Sequence, residues 1–133
     1  METLMLRLTS CQQALATLAE ALQLPFSVIV RDACIQRFEY SFESLWKLLK
    51  LYLAQAEGII CNSPKSCFRE AFQVGLLAED EAELCLKMTD SRNLTSHTYL
   101  ESIAVNIYEQ LPAYLTVMQT LLGQIERHVS PLG

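Results

Sequence analysis

The residues best equipped for chemistry lie in one run, Asp90-Ser91-Arg92-Asn93-Leu94-Thr95-Ser96-His97-Thr98-Tyr99. It gathers an arginine, an asparagine, a histidine, a tyrosine and several hydroxyls at what reads as a turn between two helices. An arginine grips a phosphate with a planar fork of donors. A neutral histidine takes up a proton near pH 7. Backbone N–H groups at the start of the following helix add donors for an anion. Metal-independent cleavage of a phosphodiester requires those parts: a base for a 2′-hydroxyl and positive charge for the phosphate. The same cluster is also ordinary helix capping, with the arginine meeting nearby carboxylates. Composition does not separate the two readings.

Geometry sets a condition on the chemistry. On one unbroken helix Arg92 and His97 point about 140° apart. They converge only where the chain turns near residues 93–95, or where two subunits each supply part of a site. Arg92 and Tyr99 share a face if the helix is continuous.

The elements that position this run are helices. Residues 4–22 place Leu4, Leu8, Cys11, Leu15, Leu18 and Leu22 at three- and four-residue steps, one apolar face. Pro25 closes that segment. Phe26-Ser27-Val28-Ile29-Val30 has strand propensity but reads as the entry to a long helix over about 28–57, ended by Gly58. Its apolar stripe is Ile35, Phe38, Phe42, Leu45, Leu49, Tyr52 and Leu53, with Trp46 as a bordering core residue. Asp32, Gln36, Glu39, Glu43, Lys47 and Lys50 form an adjoining polar stripe, of the kind that is ordinarily solvated. Arg37 reads as a surface or interface charge. Ser63-Pro64 opens a short helix to about residue 74, with Phe68, Ala71 and Phe72 inward and Gly75 as its stop. Glu79 or Asp80 opens another through Met88. A last helix from Thr95 or Ser96 to Leu122 carries Pro112, which predicts a kink or local break, and residues 128–133 read as a frayed tail. Three long helices and two short ones predict an all-α, antiparallel up-and-down bundle, a single domain over residues 1–133.

Composition agrees. Of 133 residues 51% are hydrophobic, and only four glycines and four prolines punctuate them, which favours helices over a many-turned β architecture. The net charge is −5, unevenly spread: residues 1–69 hold seven basic and six acidic side chains, residues 70–133 three and nine. An acidic chain is a poor general nucleic-acid binder, so RNA chemistry requires a local basic site, assembled with a partner or a second subunit. Lys65 and Arg69 could add charge to such a site or simply aid solubility. Five cysteines with no C-x-x-C pair fit small buried thiols in a reducing compartment. Two distant histidines give no zinc set, and neither a metal nor a cofactor is expected. No signal-peptide pattern and no apolar run of membrane-spanning length is present, so the expected location is cytoplasmic.

Arg92-Asn93-Leu94-Thr95-Ser96-His97-Thr98-Tyr99 fits the R-x-x-x-x-H-x-Y motif of HEPN domains. The stretch from Arg31 through Phe38, Phe42 and Trp46 to Lys47 resembles the long second helix of one HEPN subgroup, the nucleotidyltransferase substrate-binding proteins. Ser63-Pro64-Lys65, Phe68-Arg69-Glu70-Ala71-Phe72 and Gly75-Leu76-Leu77 resemble its next segment, and the likeness covers about residues 25–115. Leu84-Cys85-Leu86 stands where that subgroup usually carries a tryptophan, a repacked core position.

The resemblance implies a helical bundle that forms a homodimer or higher homo-oligomer and pairs with a minimal nucleotidyltransferase encoded nearby. Two functional pictures come with it. In one the chain is a substrate-binding subunit of a two-component nucleotidyltransferase. In the other it is the toxin of a toxin–antitoxin pair, a ribonuclease acting on RNA and silenced by AMP transfer to the motif tyrosine. His97 would then be base or acid, Arg92 the phosphate clamp and Tyr99 the modified residue. Asn93 and Ser96 would give polar support, and Asp32 and Glu39 would orient Arg92 or His97.

Overall fold

The computed structural model describes residues 2–129. Helix α1 spans Glu2–Leu22, α2 Val28–Tyr52, α3 Pro64–Gln73, α4 Glu79–Asn93 and α5 Glu101–Val129. Among the described residues there is no strand, and no helix is long and apolar enough to cross a membrane. The fold is the expected all-α bundle of three long and two shorter helices. α2 lies at its centre, against α1, α3 and α5, while α3 and α4 pair as a hairpin that closes on α5.

Local chemistry explains the element boundaries. Ser27 is extended and its Oγ accepts the Val30 N–H at 3.0 Å, so the apolar run at residues 26–30 is a helix entry and not a strand. α2 widens into a π-helical turn, Leu53–Glu57, and stops at Gly58, whose φ of 68° is left-handed. Ser63 and Ser66 cap α3 reciprocally, with Pro64 in its first turn. In α4 the Glu81 carboxylate accepts the Ala78 N–H at 2.8 Å, and Glu79 and Asp80 add charge that suits the helix dipole.

Phe38, Phe42, Phe68 and Tyr114 are fully buried at the centre. Phe38 stacks on Tyr114 at 5.6 Å and Phe42 meets Phe68 edge-on at 6.0 Å. Each such ring removed from water contributes about 2–3 kcal/mol.

Several expectations need correction. α4 continues past Met88 to Asn93, so Arg92 sits in its last turn. A 3₁₀ turn, Thr95–His97, then intervenes, and α5 begins only at Glu101. α5 also extends past Leu122 to Val129 and is unbroken at Pro112, where Leu111 and Tyr114 are fully buried and hold the helix in place. The expected fray at residues 128–129 is therefore helix, and residues 130–133 lie outside the described part. Phe72 is exposed, because Cys67, Phe68 and Ala71 already fill the inward arc of α3. Trp46 is only partly buried, its indole Nε1 donating to Glu43 and its ring overlain by the Lys50 ammonium. Arg37 is half-buried and donates to the Thr17 carbonyl of α1 at 2.7 Å.

The cysteines are not all free. Cys61 and Cys67 form a disulfide across the α3 cap, which brings their Cα atoms to 5.4 Å. Cys11, Cys34 and Cys85 are buried thiols, and burial pushes Cys11 and Cys85 up to about 12.

Candidate functional site

The α4–α5 connection sits on the polar stripe of α2. Because α4 ends at Asn93 and the chain then turns, Arg92 folds back against α2 while His97 and Tyr99 project outward from the turn. Leu94 closes the helix with its N–H on the Ser91 carbonyl, and the His97 N–H bonds the Leu94 carbonyl at 2.9 Å. Beneath, the Ser91 and Tyr114 hydroxyls share a buried hydrogen bond of 2.7 Å that ties the end of α4 to the middle of α5.

Arg92 keeps 29% of its side chain exposed. Its guanidinium lies 3.5 Å from Glu43 Oε2 and 3.9 Å from Glu39 Oε2, and donates to Thr95 Oγ1 at 3.3 Å. The Thr95 hydroxyl has its own proton for Glu39 Oε2, 2.9 Å away, or for the Arg92 carbonyl at 2.7 Å. Arg92 Nε is buried and has no hydrogen-bond partner, since its approach to Glu43 is an ion pair too long to be a hydrogen bond. An open pocket of about 300 Å³ lies over this cluster, lined by Gln36, Glu39, Tyr40, Glu43 and Arg92.

His97 and Tyr99 form the second part. His97 Nδ1 is 3.2 Å from the Tyr99 hydroxyl, the rings meeting at 5.8 Å and 65°. Tyr99 is 77% exposed, and His97 is exposed as well.

The structure therefore joins Arg92 to Glu39 and His97 to Tyr99. Among the described residues no hydrogen bond or ion pair links the two halves. Asn93 and Ser96 are exposed and make no side-chain hydrogen bond to either. Asp32 lies elsewhere: it accepts from Arg31 Nε at 3.2 Å, and Arg31 also bonds Glu101 at 2.7 Å. Among the described residues Asp32 makes no hydrogen bond or ion pair with Arg92 or His97. Two contributors were not singled out from sequence, Glu43 and Thr95. Glu43 follows Glu39 by one helical turn on the same stripe, which was the available signal. Thr95 gave none apart from its place in the motif.

Charge decides what one protomer can do. Two carboxylates face a single guanidinium, so the pocket is net negative and repels an anion. Phosphate binding there needs further positive charge or displacement of the glutamates.

Comparison with known proteins places the fold. The family described as nucleotidyltransferase substrate binding protein like matches residues 6–127. A probable ribonuclease HepT of Haemophilus influenzae (strain ATCC 51907 / DSM 11121 / KW20 / Rd) is 32% identical over 107 residues, 74% of this chain and 72% of that protein. A crystal structure from Thermus thermophilus is similar with a TM-score of 0.84 at 48% identity, over 86% of this chain and 98% of that one. A Haemophilus influenzae structure, said to reveal the fold of a substrate binding domain of a nucleotidyltransferase, gives 0.65 at 26% identity over 94% and 98%. A chain from a toxin–antitoxin crystal structure with AMP-PNP gives 0.68 over 92% and 96%, and at 14% identity that likeness is one of fold alone. The motif-bearing turn lies inside the matched segment, and the chain belongs to the nucleotidyltransferase substrate binding protein like family, a HEPN-type helical bundle.

Proposed function

We propose that this chain is the HEPN half of a pair with a minimal nucleotidyltransferase, and that it is the toxin half. In this reading it is a metal-independent endoribonuclease that is silenced when the partner transfers AMP to Tyr99. The observation that carries the reading is the exposed Tyr99 hydroxyl, 3.2 Å from His97 Nδ1. A nucleotidyltransferase can reach that oxygen, and a nucleotide placed on it crowds the imidazole that catalysis would use. The relatives support the same direction, one being named a probable ribonuclease and another a substrate binding domain of a nucleotidyltransferase.

In the cleavage step His97 takes the proton of a ribose 2′-hydroxyl, whose oxygen attacks the adjacent phosphorus. The 5′-oxygen departs with a proton from a second imidazole and leaves a 2′,3′-cyclic phosphate. Arg92 holds the non-bridging oxygens as charge builds on them. In the silencing step the Tyr99 oxygen attacks the α-phosphorus of ATP on the partner, pyrophosphate leaves, and the phenolic proton passes to His97 Nδ1.

One protomer supplies one imidazole and a net-negative Arg92 pocket, so the reading requires two copies. Leu94 and Leu100 are exposed beside the motif and offer a surface for that homodimer. The net-negative pocket also favours a second reading, a non-catalytic substrate-binding subunit of a two-component nucleotidyltransferase. Intact mass after incubation with the neighbouring nucleotidyltransferase and ATP separates them. Added AMP on the wild type and none on Tyr99→Phe is expected. No added mass on the wild type, with the complex still formed, would sink the AMP-transfer reading of Tyr99 and favour the second reading.

A further inference from the structure

The polar stripe of α2 changes sign along its length. Gln36, Glu39, Tyr40 and Glu43 line the pocket at Arg92, and on the same arc the next turns carry Trp46, Lys47 and Lys50. Those last three residues, with Arg7 of α1 and the apolar floor of Leu51 and Ala54, line a second cavity of about 340 Å³. Arg7 reaches it because α1 runs antiparallel to α2, as the Arg37 bond to the Thr17 carbonyl near the other end of the pair shows.

What sets the cations here apart is that three of them line one groove. Of ten Lys and Arg side chains, Arg31, Arg37, Lys65 and Arg92 stand within 4.0 Å of a carboxylate. Arg7, Lys47, Lys50, Arg69, Lys87 and Arg127 do not, among the described residues, and the first three converge on one groove in a chain of net charge −5. Trp46 is the only tryptophan, partly buried, and the Lys50 ammonium sits 5.9 Å from its ring centre. Unpaired cations lining a groove beside a partly exposed aromatic face are how proteins hold single-stranded nucleic acid, the cations on phosphates and the ring under a base. Lys47 and Lys50 lie about 6 and 10 Å along the helix axis from Glu43, which touches Arg92. A strand lying at Arg92 reaches them within a few nucleotides.

We infer that the Arg7–Trp46–Lys47–Lys50 groove binds single-stranded RNA adjacent to the Arg92 pocket, with phosphates on the three cations and a base against Trp46. The inference rests on the ribonuclease reading only for what lies at Arg92, because binding in the groove needs no cleavage. It also supplies the local basic site that a net-acidic chain must have if it is to hold RNA.

Trp46 reports its own ligand. Its fluorescence in His97→Ala, used so that no strand is cut, is titrated with an eight-nucleotide single-stranded RNA at several salt concentrations. Saturable quenching is expected, with a log–log salt slope near −2 for three phosphate contacts, at about 0.7 per contact. Lys47→Ala with Lys50→Ala should weaken binding about tenfold at low salt and reduce that slope by about 1.4, with unchanged far-ultraviolet circular dichroism. Arg7→Ala, on another helix, should reduce it by about 0.7. Absence of quenching, or an affinity and slope untouched by these variants, overturns the inference. Quenching by a polyglutamate peptide and not by RNA overturns it in favour of an acidic protein partner, and AMP binding as tightly as the octamer overturns the strand. Salt-dependent RNA binding in a protein whose wild type cuts no RNA leaves the groove standing and removes the nuclease reading alone.

Discussion

Two arginines in this bundle face pairs of carboxylates, and they do so differently. Arg31, at the start of α2, is 4% exposed and donates to Glu101 at 2.7 Å and to Asp32 at 3.2 Å. Hydrogen bonding to Glu101, and less strongly to Asp32, raises its already high pKa, so the charge is fixed at any working pH. Arg92, at the end of α4, stands 3.5 and 3.9 Å from its glutamates and keeps a buried Nε without a hydrogen-bond partner. The first arginine has its polar needs met and ties α2 to α5. The second meets its carboxylates at longer range and lines an open pocket. A satisfied buried charge is an anchor, whereas an under-satisfied one beside solvent is available to a ligand.

The largest effect should come from the motif. On the proposed ribonuclease reading, Arg92→Ala and His97→Ala are each expected to lower RNA cleavage by about 10²–10⁴-fold, the range for a lost charge clamp or proton carrier. Both should leave stability within about 0.5 kcal/mol, because neither side chain packs in the core. Initial rates on a labelled single-stranded RNA, with melting temperature beside them, check this. An Arg92→Ala protein that melts early would turn Arg92 into a second anchor and break the comparison.

Arg31→Ala should reverse the pattern. It removes the tie between α2 and the start of α5, so the melting temperature should fall by a few degrees. Activity per folded molecule should hold. Loss of activity in a fully folded variant would mean that the Asp32 end of the stripe shapes the site after all.

How far the sequence reveals this contrast is uneven. The helical stripes of α1 and α2, the Ser63 cap and the Gly58 and Gly75 stops are local signals, and each lies where periodicity and capping chemistry put it. Arg92 comes within 3.9 Å of Glu39, a proximity that the family resemblance implied and the stripe alone did not. Asp32 did not join them, because nothing local tells that Arg31 turns inward and takes that carboxylate. The boundary between α4 and α5 was also hidden: Ser96 and Thr95 are good caps, yet Thr95 is consumed by Arg92 and Glu39, and the helix restarts later. The Cys61–Cys67 bridge follows from the fold of the Ser63–Pro64 turn and not from any spacing motif.

Beneath Arg92, the Ser91–Tyr114 hydrogen bond should show what a satisfied polar pair contributes at the same corner. Ser91→Ala and Tyr114→Phe should each cost about 1 kcal/mol, and the double variant less than their sum, since each single change strands the other hydroxyl. Urea unfolding of the four proteins measures the coupling. Burial and the nearby Asp90 charge raise the Tyr114 pKa while the Ser91 bond lowers it, and the net direction is upward, so the phenol stays protonated in the fold. With the folded pKa raised, the unfolded chain gives up this proton first, which favours unfolding as pH climbs past the unfolded value. Stability from this residue should therefore be constant below about pH 10 and decline above it. Tyr114→Phe should remove that alkaline decline.

The smallest effect belongs to a pair that separates distance from burial. Lys65 Nζ and Asp90 Oδ1 are 2.7 Å apart, as close as Arg31 and Glu101, but Asp90 is exposed and Lys65 only partly buried, whereas Arg31 is buried. If separation alone set the strength of an ion pair, Lys65→Ala would match Arg31→Ala. A pair open to solvent has its Coulomb term weakened by water and salt and must also immobilise two flexible chains, so Lys65→Ala should shift stability by less than about 0.5 kcal/mol, vanishing in about 1 M salt. The Arg31 anchor should keep most of its effect at that salt, because its guanidinium is shielded by protein. A salt-resistant loss in Lys65→Ala would show that α3 and α4 are held by this bridge. Proximity, and not satisfaction, would then be the property that distinguishes Arg31 from Arg92.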